Sequence, residues 1–305
     1  MTKQIGVCLL MFLLTVGAGM AIAGEVLVVT PWMDEPGTQL MVDALDKSAA
    51  KRGWRSRVVQ DLADFEPHLQ ELVDANRAPL AIVVNVAPNR IQAGLEVARR
   101  AGIPVIGMDA ENSPLLLTNV SSNSYSMAAE TASYLTDRLS DGGEVLIITY
   151  DEYAPVQKRG VVAEAIFANT EGLSVAGVVN PDVRAGSFAS AKAQVAKFLM
   201  EHPEPSTVKA IWSAWDEAGL GALAAVEALD RQSEGILITG IDATEKARAA
   251  VARGGNFIAT VEQDFPEIGR QVVRLVQRQL DGDADIQSVY YIPARLVTAE
   301  TAAAS

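Results

Sequence analysis

The chain has 305 residues, 49% of them hydrophobic and 21% charged, and a net charge of −13. That is a globular composition, with length for roughly two domains. So acidic a chain offers no basic face to nucleic-acid phosphates, and no Lys/Arg-rich run supplies one.

The N-terminus reads MTKQIGVCLLMFLLTVGAGMAIAGE, with one Lys ahead of a mostly apolar run from Ile5 to Ile22. Ala21-Ile22-Ala23 then gives the small-x-small pattern of a signal-peptidase site. This predicts a secretory signal peptide over residues 1–23, cut after Ala23, and a protein exported to the periplasm. Cys8 is the only cysteine and lies inside that segment, so the mature chain has neither disulfide nor thiol chemistry.

Short Val/Ile-rich runs follow at Glu25–Val29, Ser56–Gln60, Leu80–Val86 and Pro104–Asp109. They lack polar alternation, as strands buried on both faces of a parallel sheet do. Between them lie segments with helical spacing, such as Ile91, Leu95 and Ala98. Pro36 suits the first position of the first helix, and Gly53, Gly102 and Gly172 suit helix ends. The alternation pauses at an extended Leu115–Ser122 and a long helix over Tyr125–Leu139. A second series then runs through Glu144–Tyr150, Leu173–Val179, Ala210–Trp215 and Ile236–Asp242, with Val195, Phe198 and Leu199 on an intervening helix. The chain ends in helix Ala243–Ala252, strand Phe257–Gln263, helix Phe265–Leu280 and extended Ser288–Val297.

This order predicts an α/β protein of two Rossmann-like lobes with parallel sheets, joined by a hinge that the chain crosses three times. The expected N-terminal lobe is residues 24–121 plus 264–292, and the C-terminal lobe 122–263 plus 293–305. Ligands of open parallel sheets bind beyond the carboxyl ends of the strands. The residues there are Pro31–Asp34, Asn85, Asp109, Ser122–Asn123, Tyr150–Tyr153, Trp215–Asp216, Asp242 and Gln263. Carboxylates, amides and aromatics of this kind suit a polyhydroxylated solute.

Six stretches resemble the pentose- and hexose-binding periplasmic proteins of ABC importers, the ribose-binding-like class of type I periplasmic binding proteins. They are AIVVNVAPNRIQAGLEVARRAGIPVIGMDA (81–110), NVSSNSYSMAAETASYL (119–135), VQKRGVVAEAI (156–166), AIWSAWDEAGLGALAAVEAL (210–229), ITGIDATEKARAAV (238–251), and ATVEQDFPEIGRQVV (259–273). The resemblance implies that Asp109 and Asp242 accept sugar hydroxyls, that Arg159 forks to two of them, and that Gln263 contacts the ligand from the hinge. It also places Trp32, Asp34, Asn123, Trp215 and Asp216 among the ligand contacts. Ala110 follows Asp109 where ribose-type binders have Arg, and Trp32 is the sole aromatic of the first loop. Trp215, where such binders have Asn, is the expected replacement stacking platform. The implied partners are a sugar or polyol and a membrane permease, with a chemoreceptor or sensor kinase as the alternative. A monomer without cofactor is expected.

An enzyme reading rests on Gly219-Leu220-Gly221-Ala222-Leu223-Ala224, which looks like a dinucleotide fingerprint. Such a fingerprint needs its first Gly directly after the strand, where backbone approaches the pyrophosphate. Here Asp216, Glu217 and Ala218 intervene, and two carboxylates repel pyrophosphate. Asp216 is the expected helix cap, with the glycines as packing positions. Asp242 also reads as a cap, with Glu245 at the third position. His68 and His202 sit in polar contexts, are expected at the surface, and suggest no metal site.

Overall fold

The computed structural model describes residues 24–203 and 207–302. The expected signal peptide and its cleavage point lie outside the described residues, as does the tail 303–305.

The chain forms two six-stranded sheets. The first holds β1 (Glu25–Val29), β2 (Arg55–Val59), β3 (Ala81–Val84), β4 (Val105–Met108), β5 (Thr118–Ser121) and β11 (Val289–Tyr291), in the order β2-β1-β3-β4-β5-β11 and parallel throughout. The second holds β6 (Gly143–Ile148), β7 (Leu173–Val179), β8 (Val208–Ser213), β9 (Leu237–Thr239), β10 (Phe257–Gln263) and β12 (Ala294–Thr298). Its order is β7-β6-β8-β9-β10-β12, and only the β10–β12 pair is antiparallel.

Burial explains the composition of the strands. Every residue of β3 and β4 is buried, so both faces are apolar, whereas the edge strand β2 leaves its arginines in solvent. Helices α1 (Pro36–Ala50) and α9 (Phe265–Leu280) cover one face of the first sheet through Met41, Leu45, Ile268 and Val272. Helices α2 (Leu62–Asp74) and α3 (Gln92–Arg100) cover the other through Phe65, Leu69 and Leu95. The second sheet shares one core with α4 (Ser124–Thr136), α5 (Ala154–Ala168), α6 (Ser187–Glu201), α7 (Asp216–Ala228) and α8 (Glu245–Arg253). A last short helix, α10 (Ala299–Ala302), follows β12. No helix among the described residues is long and apolar enough to cross a membrane.

The chain passes between the sheets three times, at β5 to α4, β10 to α9 and β11 to β12. Asp264 caps α9 by accepting from the Glu267 amide, directly after Gln263 ends β10.

Three local expectations are corrected. The strand expected over Ile236–Asp242 stops at Thr239. Gly240 then passes so close to Asp216 that a Cβ would stand 2.3 Å from its Oδ1, and Asp242 turns to φ 127°. The cap of α8 is Thr244, whose side chain accepts from the Ala247 amide, so Asp242 is free of that role. Helix α7 starts at Asp216 itself, with Trp215 in the extended capping position. Gly219 is therefore the fourth residue of a helix rather than a turn before one.

Candidate binding cleft

The carboxyl ends of both sheets face one cleft with about 670 Å³ of empty volume, its mouth included. Six of the nine expected ligand contacts line it, Trp32, Asp109, Arg159, Trp215, Asp242 and Gln263, together with Tyr150 and Tyr153 from the strand-end set. Trp32 and Asp109 follow strands of the first sheet; Trp215 and Asp242 follow strands of the second; Gln263 ends β10 at a crossing.

Asp109 follows β4 at φ 53°, a left-handed backbone that Asp tolerates because its short carboxylate bonds locally. It is nearly fully buried. Ser121 donates to its Oδ1 and Tyr153 to its Oδ2, at 2.9 Å for the tyrosine. Tyr153 precedes α5 in the second sheet's layer, so this bond spans the cleft. Asn85, after β3, donates to the Met108 carbonyl at 2.7 Å and to the Tyr153 hydroxyl at 2.8 Å. Burial, and then the charge of Asp109, push the Tyr153 hydroxyl well above its ordinary pKa. It remains a proton donor across the physiological range. Trp32 packs edge-on against Tyr150, with ring centres 6.0 Å apart, and at 5.9 Å from Tyr153. Aromatic rings of both layers, Trp32 from one and Tyr150, Tyr153 and Trp215 from the other, therefore line the cleft.

Removing the Tyr153 hydroxyl tests this cross-cleft contact. Tyr153→Phe is expected to lower stability by about 1 kcal/mol and to let the ligand-free chain open. Small-angle scattering should then show a larger radius of gyration than for the wild type. An unchanged radius would take Tyr153 out of the closing contact.

On the opposite wall Arg159 is 2% exposed, very low for a cation. Its Nη1 donates to the Ala214 carbonyl at 2.8 Å and stands 3.6 Å from Asp242 Oδ1. Gln263 Nε2 donates to the same Asp242 oxygen at 2.7 Å. Burial raises the Asp242 carboxyl well above its usual range, against the pull of the Arg159 charge. Three buried polar atoms on this lining have no hydrogen-bond partner: Arg159 Nε, Gln263 Oε1 and Trp32 Nε1. Two donors and an acceptor are thus held without the partner that buried polar atoms ordinarily have, at a cost in free energy.

Asp34, Asn123 and Asp216 stand outside the lining. Asp34 is exposed, and Asn123 caps α4 by accepting from the Ser126 amide at 3.1 Å. Asp216 is fully buried behind the cleft, accepting from the Thr260 hydroxyl and the Thr244 amide, each at 2.7 Å. Burial pushes its carboxyl up to about 7. It ties the starts of α7 and α8 to β10 rather than reaching a ligand. Sequence reasoning missed Glu35, Thr38, Glu217, Thr244 and Phe265 among the lining residues. Of the histidines expected at the surface, His202 is half-buried, stacking on Phe198 at 4.1 Å, and His68 is half-buried with Nε2 unpartnered. No group of three His, Cys, Asp or Glu side chains suited to a metal occurs among the described residues.

Residues 24–284 match the family model described as the periplasmic binding protein domain. The chain belongs to the periplasmic binding proteins. Its relatives in that family include the D-apiose import binding protein of Actinobacillus succinogenes, 25% identical over 247 residues that span 79% of this chain and 76% of that protein. The ribose import binding protein of Bacillus subtilis is 25% identical over 278 residues, 83% of this chain and 80% of that one. Among solved structures, an ABC transporter solute-binding protein from Agrobacterium vitis with bound allitol superposes with a TM-score of 0.82 at 25% identity, covering 92% of this chain and 97% of that one. An ABC sugar transporter subunit from Rhodobacter sphaeroides shares the fold, with a TM-score of 0.80 at 24% identity over 91% of this chain and 98% of that one. The two parallel-dominated sheets with their interleaved helices are the type I periplasmic binding fold, as the sequence order predicts.

Proposed function

We propose that this periplasmic binding protein captures a sugar or polyol in the periplasm and delivers it to the permease of an ABC importer. The observation that carries the reading is the set of buried, unpartnered atoms of Arg159, Gln263 and Trp32 beside Asp109 and Asp242 in one cleft. Donors, acceptors and aromatic faces in that mixture match hydroxyls and sugar C–H faces. The relatives named for apiose and ribose import support the solute class, and the expected leader over residues 1–23 supports the compartment.

In this reading the lobes are residues 24–121 plus 264–292 and 122–263 plus 293–305. They move about the three crossings after β5, β10 and β11. A ligand favours the closed form only because it touches both lobes, and the cleft has walls from both sheets.

A thermal-shift screen across pentoses, hexoses and polyols tests the proposal. A ligand well above its Kd should raise the melting temperature by roughly 5 °C. No shift with any member would reject a sugar or polyol as the solute.

A further inference from the structure

Four carboxylates line the cleft, Glu35, Asp109, Glu217 and Asp242, against one cation, Arg159. That cation is already committed to Asp242 and to the Ala214 carbonyl. Asp109 is held by the Ser121 and Tyr153 hydroxyls. Glu35 and Glu217 remain without a buried countercharge.

Glu35 directly precedes α1, and its Oε1 accepts from Ser187 Oγ at 2.6 Å, across the cleft at the start of α6. Burial raises its carboxyl above the ordinary range and the Glu217 charge adds to this, while the Ser187 hydroxyl opposes it. Glu217 lies in the first turn of α7, where the helix dipole favours an anion. Its ion partner is Lys246, 3.3 Å away with a side chain 76% exposed, a pairing that water screens. For a neutral solute this geometry is a cost: closure desolvates two mutually repelling carboxylates and offers them hydroxyl donors but no countercharge. A solute carrying a positive charge turns the same two groups into attraction.

Two independent features of the lining agree. Gln263 Oε1 is a buried acceptor without a donor, on a side chain 4% exposed. Tyr150 and Trp215 bring aromatic rings to the lining, a surface that attracts a desolvated cation, and Trp32 already carries the Arg90 guanidinium 5.8 Å from its ring centre. The donors left open, Arg159 Nε and Trp32 Nε1, still require acceptor oxygens on the solute.

We propose that the solute is a polyhydroxylated amine, an amino sugar or amino polyol, whose ammonium is held by Glu35 and Glu217 while its hydroxyls meet Asp109, Arg159, Asp242 and Gln263. The inference rests on the reading of this cleft as a sugar or polyol site and narrows its ligand class.

Calorimetry on matched pairs tests it: D-glucosamine with D-glucose, D-galactosamine with D-galactose, and 1-amino-1-deoxysorbitol with sorbitol. N-acetyl-D-glucosamine serves as the amine skeleton without the charge. At least one amine should bind about tenfold or more tightly than its hydroxyl partner, a difference of about 1.4 kcal/mol. Glu35→Gln and Glu217→Gln remove the charge and keep the side-chain shape, and each should erase most of that preference, read as the ratio of amine to neutral affinity within one variant. The wild-type pairs carry the test on their own should a variant fail to fold. Neutral partners that bind as tightly as their amines in all three pairs, or a preference that survives both substitutions, overturn the amine and leave the sugar or polyol site standing. Binding of neither amines nor neutral compounds overturns both.

Discussion

Replacing Arg159 with Met is expected to weaken solute binding by at least about 100-fold and to destabilise the fold by about 3 kcal/mol. Both effects come from one place in the molecule. Arg159 is buried inside α5, and its guanidinium closes the gap between the end of β8, through the Ala214 carbonyl, and Asp242 beyond β9. Met fills the hydrocarbon volume but leaves that carbonyl without its donor. It also leaves Asp242 buried beside Asp109 and Asp216 with no cation. Asp242, already raised by burial, then takes up a proton and no longer accepts from ligand hydroxyls as an anion. Arg159→Lys separates charge from shape, because an ammonium keeps the charge but loses the planar fork and the Nε donor. It should recover much of the stability and little of the affinity. Urea unfolding reads the first effect. Calorimetry reads the second, with the compound that gives the largest thermal shift. Wild-type affinity in Arg159→Met would remove Arg159 from the site.

What could be read in the sequence follows from which signals are local. The strands β1, β7 and β10 and helix α9 match the expected ranges residue for residue, because each is bounded by a change of period or a capping residue. The wall residues at strand ends, Asp109, Trp215, Asp242 and Gln263, were legible because the topology fixes where such residues go. Glu35 and Glu217 were not. Glu35 lies six residues past the end of β1 and Glu217 four past the end of β8, beyond the strand-end positions that topology marks. Asp216 misled for the opposite reason. It stands at a strand end, yet the Thr244 amide and the Thr260 hydroxyl, 28 and 44 residues away, draw its carboxylate into the interior. Tyr153 shows the same limit, since its partners Asn85 and Asp109 come from the other sheet's layer, and no local pattern pairs them.

Gly221→Ala is expected to destabilise the protein by about 2 kcal/mol, and Gly269→Ala by about 3 kcal/mol or more. In an exposed helix the same change would stabilise by about 1 kcal/mol, so the sign of the result is diagnostic. A methyl at Gly221 would stand 2.5 Å from the Phe188 carbonyl oxygen, 3.0 Å from Ala191 Cβ and 3.1 Å from the Lys192 amide nitrogen. Two of those atoms are α6 backbone, which no rotamer change can move aside. Gly269 is tighter still, with the Met41 carbonyl oxygen of α1 2.2 Å from its would-be Cβ. Gly219 differs, because its nearest neighbours are the Phe257 ring and the Ser213 side chain at 3.0 and 3.2 Å, and a ring can give. Gly219→Ala should therefore cost less than Gly221→Ala. None of the three glycines lines the cleft, so affinity should stay within about threefold wherever the variant folds. Urea midpoints for the three variants, with calorimetry alongside, decide the matter. If Gly221→Ala spared stability and abolished binding, the GLGALA segment would be a ligand loop. If stability falls and binding survives, Gly221 is the contact that lets α7 lie against α6, and Gly219 is a packing position against Phe257 and Ser213.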